Sequence, residues 1–394
     1  MHFDELIDRR NTGAAKWDFA PGDIDVDRAI IPLSVADMEF RSPKPIRDRL
    51  TRLAETGIWG YTHPRPEYFE ALKRWLKLRH RFDLDPEWIV TSTGVVQAIG
   101  SAARALTEPG DKILIQTPVY HPFARIIQQN GRVLLTNELV IDDGHYRIDF
   151  DDFETQMASA DMFILCSPHN PVGRVWDRKE LERMAEIAKR HDVIVLADEI
   201  HADFTYGKKH TMFSHVARRY GTRHLLGLSA SKTFSLAGLG VCHMLIEDEA
   251  MRACVRQQIG IDGTGTSSTF GFAAVEAAYT ECDDWYEAML NYVHDNYLSL
   301  RTFVEEEMPK VHIFDLEGTY LAWLDWRAVT DDADRLTACM VEHGLYLNRG
   351  DMFGEGGRCF VRVNLACPKI VIEKAEDRML DVYRALCEDG ESHA

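Results

Sequence analysis

At 394 residues the chain is too long for one small core, and length alone predicts two or three domains. Its composition is ordinary for a globular protein, 45% apolar and 27% charged, with no low-complexity tract. The formal net charge of −18 argues against a nucleic-acid partner or an anionic membrane surface, because both require a basic face.

The first ten residues are charged and lack an apolar stretch, so no secretory signal is expected. No apolar run approaches the roughly 18 residues of a membrane span, and the expectation is a cytoplasmic protein. Pro66 and Glu67 occupy favourable first-turn positions of a helix that carries Phe69, Leu72, Trp75 and Leu76. Further on, residues 113–115, 162–165, 193–197, 225–226 and 244–246 are near-continuously apolar. Such runs predict strands buried on both faces, as in a largely parallel sheet covered by helices. Between them lie amphipathic helices such as 179–190, with Leu181, Met184, Ile187 and Ala188 on one face.

This alternation predicts an α/β protein: a large domain over 49–282, its mostly parallel sheet sandwiched by helices. Residues 1–48 are expected to pack with a smaller α+β domain over 283–394. A long helix over 284–308, with Trp285, Met289, Val293, Leu300 and Val304, opens that part. Strands are expected at 311–314, 319–325 and 358–363, covered by helices around 331–343 and 370–388. Glu305, Glu306 and Glu307 read as a solvated face. The eight cysteines are scattered with no Cys-x-x-Cys pair, which predicts buried free thiols rather than disulfides or a zinc site.

Chemistry concentrates where strands should end. Thr93-Gly94-Val95-Val96 follows the run 88–90 and opens a helix. Ser167-Pro168-His169-Asn170-Pro171, Asp198-Glu199-Ile200-His201 and Ser229-Ala230-Ser231-Lys232 each follow an apolar run. In open α/β sheets ligands sit beyond the carboxyl ends of strands, so these segments should meet in one crevice. An isolated lysine is usually surface charge. A Schiff-base lysine must be partly enclosed, with its pKa lowered, and small hydroxylated neighbours suit a phosphate. Lys232 fits the second description. Asp198 could cap a helix, or pair with a protonated pyridine nitrogen and keep that ring an electron sink. Asn170 could shape a turn or donate to a phenolate oxygen, and Tyr120 could be core or stack on the ring. Asp198, Glu199, His201 and Asp203 superficially resemble metal ligands, but side chains at a strand end diverge, and no metal is expected. Gly354-Glu355-Gly356-Gly357 is too short and misplaced for a dinucleotide fingerprint.

Several longer stretches carry a resemblance: Val35-Ala36-Asp37-Met38-Glu39-Phe40, Trp59-Gly60-Tyr61-Thr62, Pro168 to Trp176, Asp198 to Phe204, Lys232-Thr233-Phe234, Gly318 to Asp325 and Phe360 to Asn364. Over essentially its whole length the chain resembles the aminotransferase-like, fold-type-I pyridoxal-phosphate enzymes, in particular the MalY/PatB-type carbon–sulfur lyases. The resemblance implies pyridoxal 5′-phosphate as cofactor, a Schiff base on Lys232 and Asp198 at the pyridinium nitrogen. It implies Asn170 near the phenolate oxygen and Tyr120 on the ring face. The amides of Gly94 and Val95, with Ser229 and Ser231, would bind the phosphate. Tyr61 would reach the phosphate of the neighbouring subunit, which implies a homodimer with shared sites. Arg362 would grip the substrate carboxylate, with Ala36 and Tyr61 also on the substrate side.

Two positions depart from the broader aminotransferase pattern. Gly240 stands where many relatives carry a phosphate-binding arginine, and His201 where tyrosine is frequent. His201 would tune the phenolate oxygen, back Asp198, or serve structure alone. The implied reaction is β-elimination from cystathionine or a related cysteine S-conjugate, giving a thiol (homocysteine), pyruvate and ammonia, as in methionine biosynthesis. An aminotransferase shares every residue named. A regulatory protein that keeps the cofactor and acts through a partner surface is the reading from another class.

Overall fold

Strands form where the sequence is most continuously apolar, and seven of them make one sheet. The computed structural model describes residues 2–265 and 268–392. The strands are β1 (Ile89–Ser92), β2 (Lys112–Thr117), β3 (Val133–Glu138), β4 (Met162–Cys166), β5 (Ile194–Asp198), β6 (His224–Leu228) and β7 (Cys242–Leu245). Their order is β1-β7-β6-β5-β4-β2-β3. All pairs from β6 to β3 are parallel, and β7 runs antiparallel to both of its neighbours.

Helices cover both faces, which is why the strands do not alternate apolar with polar. In β4, Met162 and Ile164 join one core cluster while Phe163 and Leu165 join the other; in β5, Ile194 and Leu196 oppose Val195 and Ala197 in the same way. The strand β3 had no counterpart in the apolar runs. It lies at the sheet edge, where only Asn137 is buried and the pattern is correspondingly mixed.

Helix Lys44–Glu55 spans position 48, and the long helix Asp283–Glu307 begins where the second sheet's half of the chain starts. That second sheet has four strands: β8 (His312–Ile313), β9 (Leu321–Asp325), β10 (Asn348–Arg349) and β11 (Phe360–Asn364), in the order β8-β9-β11-β10. Helices Ala333–Glu342 and Lys369–Ser392 accompany it. Glu305, Glu306 and Glu307 are exposed. Near the start, Ile31–Pro32 pairs in parallel with Leu345–Tyr346, tying residues before the large sheet to those after it. The cysteines form no disulfide among the described residues, but not all are buried: Cys254 is exposed because it lies on the outer side of helix Glu249–Ile261, and Cys387 is half-buried.

Candidate active site

The carboxyl ends of β1, β4, β5 and β6 open onto one cavity of about 250 Å³. Gly94, Val95, Tyr120, Cys166, Asn170, Asp198, His201, Ser231 and Lys232 all line it. The four polar segments therefore do converge.

Gly94 precedes helix Val95–Leu106 with no side-chain cap, so the first-turn N–H groups keep their partial positive charge for an anion. Ser229 has a different task from Ser231. Its Oγ accepts the Ser231 amide at 3.0 Å and donates to the Val241 carbonyl at 2.5 Å, capping the one-turn helix Ala230–Thr233 that carries Lys232. Ser231 is the serine that lines the cavity. At Gly240 the backbone is left-handed (φ +61°), and a Cβ there would stand 3.1 Å from the Thr93 carbonyl oxygen. A side chain is strained at that position, which favours glycine there over an arginine. Lys232 is the sole lysine or arginine among the described residues that line the cavity.

Asp198 ends the buried strand β5, and its Oδ1 accepts the Ile200 amide at 3.1 Å. Burial pushes its carboxyl up to about 7, against the pull of that hydrogen bond and of Lys232. A carboxylate so enclosed calls for a cation, and a pyridinium N–H is one that fits. Lys232 moves the other way. Burial first, then Arg362, lowers its ammonium to about 8, with Asp37 and Asp198 opposing. Its Nζ donates to the Ala36 carbonyl at 2.7 Å. His201 is held well below the usual imidazole range by burial and by the charges of Lys232 and Arg362, so it is neutral near pH 7. Its Nδ1 has no hydrogen-bond partner. Burial, then the charge of Asp198, raises the Tyr120 phenol, which stays protonated.

Arg362, in the middle of β11, reaches toward this group from the second sheet. Its guanidinium donates to Asn170 Oδ1 at 2.9 Å, the Ser34 carbonyl at 3.1 Å and Asn348 Oδ1 at 2.5 Å, and it lies 4.8 Å from the Phe353 ring centre. All three acceptors are neutral, and Arg362 is buried with Nε unpaired. A buried guanidinium lacking a counter-anion is a prepared seat for a carboxylate. By accepting from Arg362, Asn170 Oδ1 turns its own amide nitrogen away from the guanidinium.

Four of the expected residues, Ala36, Tyr61, Ser229 and Arg362, do not line this cavity. Tyr61 is fully exposed, next to exposed Trp59 and Ile58. Ala36 contributes through its carbonyl, which also accepts Tyr320 Oη at 2.8 Å. Tyr320 had been visible only as part of a motif, without a role. Asn348 carried no signal at all, because only the register of β10 on β11 sets it opposite Arg362. Of the residues that resembled metal ligands, Glu199 accepts the Phe213 amide, whereas Asp203 holds Trp75, His80 and Thr233; they diverge.

The cavity therefore holds a carboxylate wanting a cation, a lysine of lowered pKa and free helix amides, the set that pyridoxal 5′-phosphate requires of a protein. The family profile described as aminotransferase class I and II matches residues 28–378. The cystathionine beta-lyase PatB of Bacillus subtilis is 38% identical over 371 residues, 93% of this chain and 96% of that protein. Protein MalY of Escherichia coli is 30% identical over 98% of this chain and 99% of its own length. Among solved structures, cystalysin from Treponema denticola, which contains pyridoxal 5′-phosphate, superposes with a TM-score of 0.94 at 34% identity, covering 98% of this chain and 99% of that one. The chain belongs to the class I and II aminotransferase family of fold-type-I pyridoxal-phosphate enzymes, in the group that includes PatB and MalY.

Proposed function

We propose that this protein is a carbon–sulfur β-lyase acting on cystathionine or a related cysteine S-conjugate. The observation that carries an amino-acid substrate is the seat at Arg362, a buried guanidinium facing neutral acceptors beside a lysine of lowered pKa. Support for a sulfur substituent comes from the likeness to PatB, named a cystathionine beta-lyase.

On this reading the substrate carboxylate displaces the neutral acceptors of Arg362, and the planar fork fixes the amino acid in one orientation. Lys232, whose pKa is lowered to about 8, gives up its proton more readily than an ordinary lysine and takes the Cα proton. Asp198, charged when facing a cation, keeps the ring nitrogen protonated. When bound, pyridoxal phosphate supplies an electron-withdrawing ring that delocalises the electron pair left on Cα. His201 stays neutral and Tyr120 keeps its proton, so neither adds charge near the ring. The Cα–H and Cβ–S bonds break, the sulfur leaves as a thiol, and the three-carbon remainder takes up water to give pyruvate and ammonia.

The test is product analysis. With cystathionine and no added keto acid, homocysteine, pyruvate and ammonia should accumulate in equal amounts over many turnovers. Turnover that stops after one equivalent, and resumes only with a keto acid, would assign the chain to the transaminases instead.

The proposal extends to the assembly. Ile58, Trp59 and Tyr61 form an exposed apolar stretch that a second copy of the chain would cover, bringing Tyr61 to its partner's phosphate site. That would supply a phosphate ligand where Gly240 provides none. Lys232→Ala and Tyr61→Ala homodimers should each be nearly inactive. Mixing and exchanging their subunits should restore one intact site per heterodimer. Recovery no greater than the sum of the parents would contradict shared sites.

A further inference from the structure

The strap 34–39 runs beside the active site and is held by two sets of contacts. On the site side, the Ser34 carbonyl accepts from Arg362, and the Ala36 carbonyl accepts from Lys232 and Tyr320. Asn364 Nδ2 donates to the carbonyls of Val35 and Asp37, each at 2.7 Å, and the Met38 amide donates to Ser235 Oγ at 3.0 Å. The other side is held by ionic groups from the first 17 residues. Lys16, its side chain only 1% exposed, places Nζ 2.8 Å from Asp37 Oδ1 and 2.7 Å from Glu39 Oε1, and donates to the Asp37 carbonyl at 2.8 Å. Arg9 donates to Asp37 Oδ2 at 3.0 Å and to Glu39 Oε1 at 3.1 Å, while Trp17 Nε1 donates to Glu39 Oε2 at 3.1 Å.

We infer that Lys16, assisted by Arg9, is a positioning residue of the active site: it fixes the strap on which the Lys232 amine rests and offsets the charge of Asp37, the residue next to the carbonyl that this amine uses. A buried ammonium is costly, and plain anchoring of the N-terminal segment could be done by apolar contacts such as Phe3 on Phe40, whose ring centres are 5.0 Å apart. The cluster instead cancels two cations against two carboxylates, immediately behind a carbonyl that Lys232 uses. The charges that act on Lys232 are those of Arg362, Asp37, Asp198 and Lys16; its Nζ shares the Ala36 carbonyl with the Tyr320 hydroxyl, and neutral His201 lines the same cavity. Of these, Asp37 and Asp198 favour a proton on Lys232, and Arg362 and Lys16 disfavour it.

The deciding measurement needs no turnover and so stands or falls apart from the lyase reading; it rests only on the cofactor. In the holoenzyme, the pH titration of the cofactor's absorption band reports the proton on the Lys232 nitrogen. Lys16→Met should move its midpoint up, and Asp37→Asn should move it down, each by about half a pH unit or more, the scale for a charge near a titrating group. Lys16→Arg should stay close to wild type, and Lys16→Met with Asp37→Asn together should return toward it. Lys16→Met should also raise KM for the amino acid more than it lowers kcat, because the strap carries a carbonyl partner of Arg362. Anchoring alone would loosen both single variants alike. Midpoints that move in the same direction, or not at all, would overturn the inference, and Asp37→Asn alone decides it if Lys16→Met does not fold.

Discussion

Arg362→Ala should lower kcat/KM for the amino-acid substrate by about 30- to 900-fold, the equivalent of about 2–4 kcal/mol of transition-state stabilisation. The magnitude follows from the setting. The guanidinium is buried, carries no paired carboxylate in this structure and is aimed by Asn170, Ser34 and Asn348. An incoming carboxylate therefore gains a fully desolvated, charge-assisted pair, and truncation leaves that carboxylate without its counterion. Arg362→Lys should recover little, because one ammonium cannot reproduce the bidentate fork that two carboxylate oxygens need. The measurement is steady-state kinetics beside cofactor content, which should change little because Arg362 does not line the cavity. Arg362→Ala with wild-type kcat/KM would move the carboxylate seat elsewhere.

What could be read ahead of the structure, and what could not, divides along a physical line. Lys232, Asp198, Asn170 and Gly94 were legible because each follows an apolar run, and a strand buried on both faces announces its own end. Arg362 was legible only through resemblance; an arginine between Val361 and Val363 in an apolar strand is otherwise a puzzle. Asn348 and Lys16 were not legible. Their roles come from pairings across the fold: Asn348 through the register of β10 on β11, and Lys16 through the return of the N-terminal segment onto residues 37 and 39. Local pattern carries no information about either. The resemblance also gave Ser229 and Ser231 one shared task; in the structure the hydroxyl of Ser229 accepts the Ser231 amide and donates to the Val241 carbonyl, while Ser231 lines the cavity. Capping and phosphate binding call for the same residue types, so sequence cannot separate them.

Asp198→Ala should cost more than any other substitution short of Lys232 itself. Asp198 is enclosed at the end of β5, and its internal hydrogen bond from Ile200 leaves the second oxygen free to face the cavity. Removing one partner of a buried, hydrogen-bonded ion pair costs about 3–5 kcal/mol, or roughly a 150- to 5000-fold loss at 1.36 kcal/mol per tenfold. The loss should appear in the proton-transfer step, because the carboxylate acts by keeping the ring nitrogen protonated while the electron pair develops on Cα. Exchange of the Cα proton of L-alanine with deuterated solvent isolates that step, since alanine has no group on Cβ that can leave. Asp198→Asn should be nearly as slow as Asp198→Ala, although it preserves shape, because a neutral amide cannot hold a cation in a buried site. Asp198→Glu keeps the charge but pushes a longer side chain into a cavity of about 250 Å³, so it should retain exchange while weakening cofactor binding. Undiminished exchange in Asp198→Asn would show that the charge of Asp198 is not what supports the carbanion.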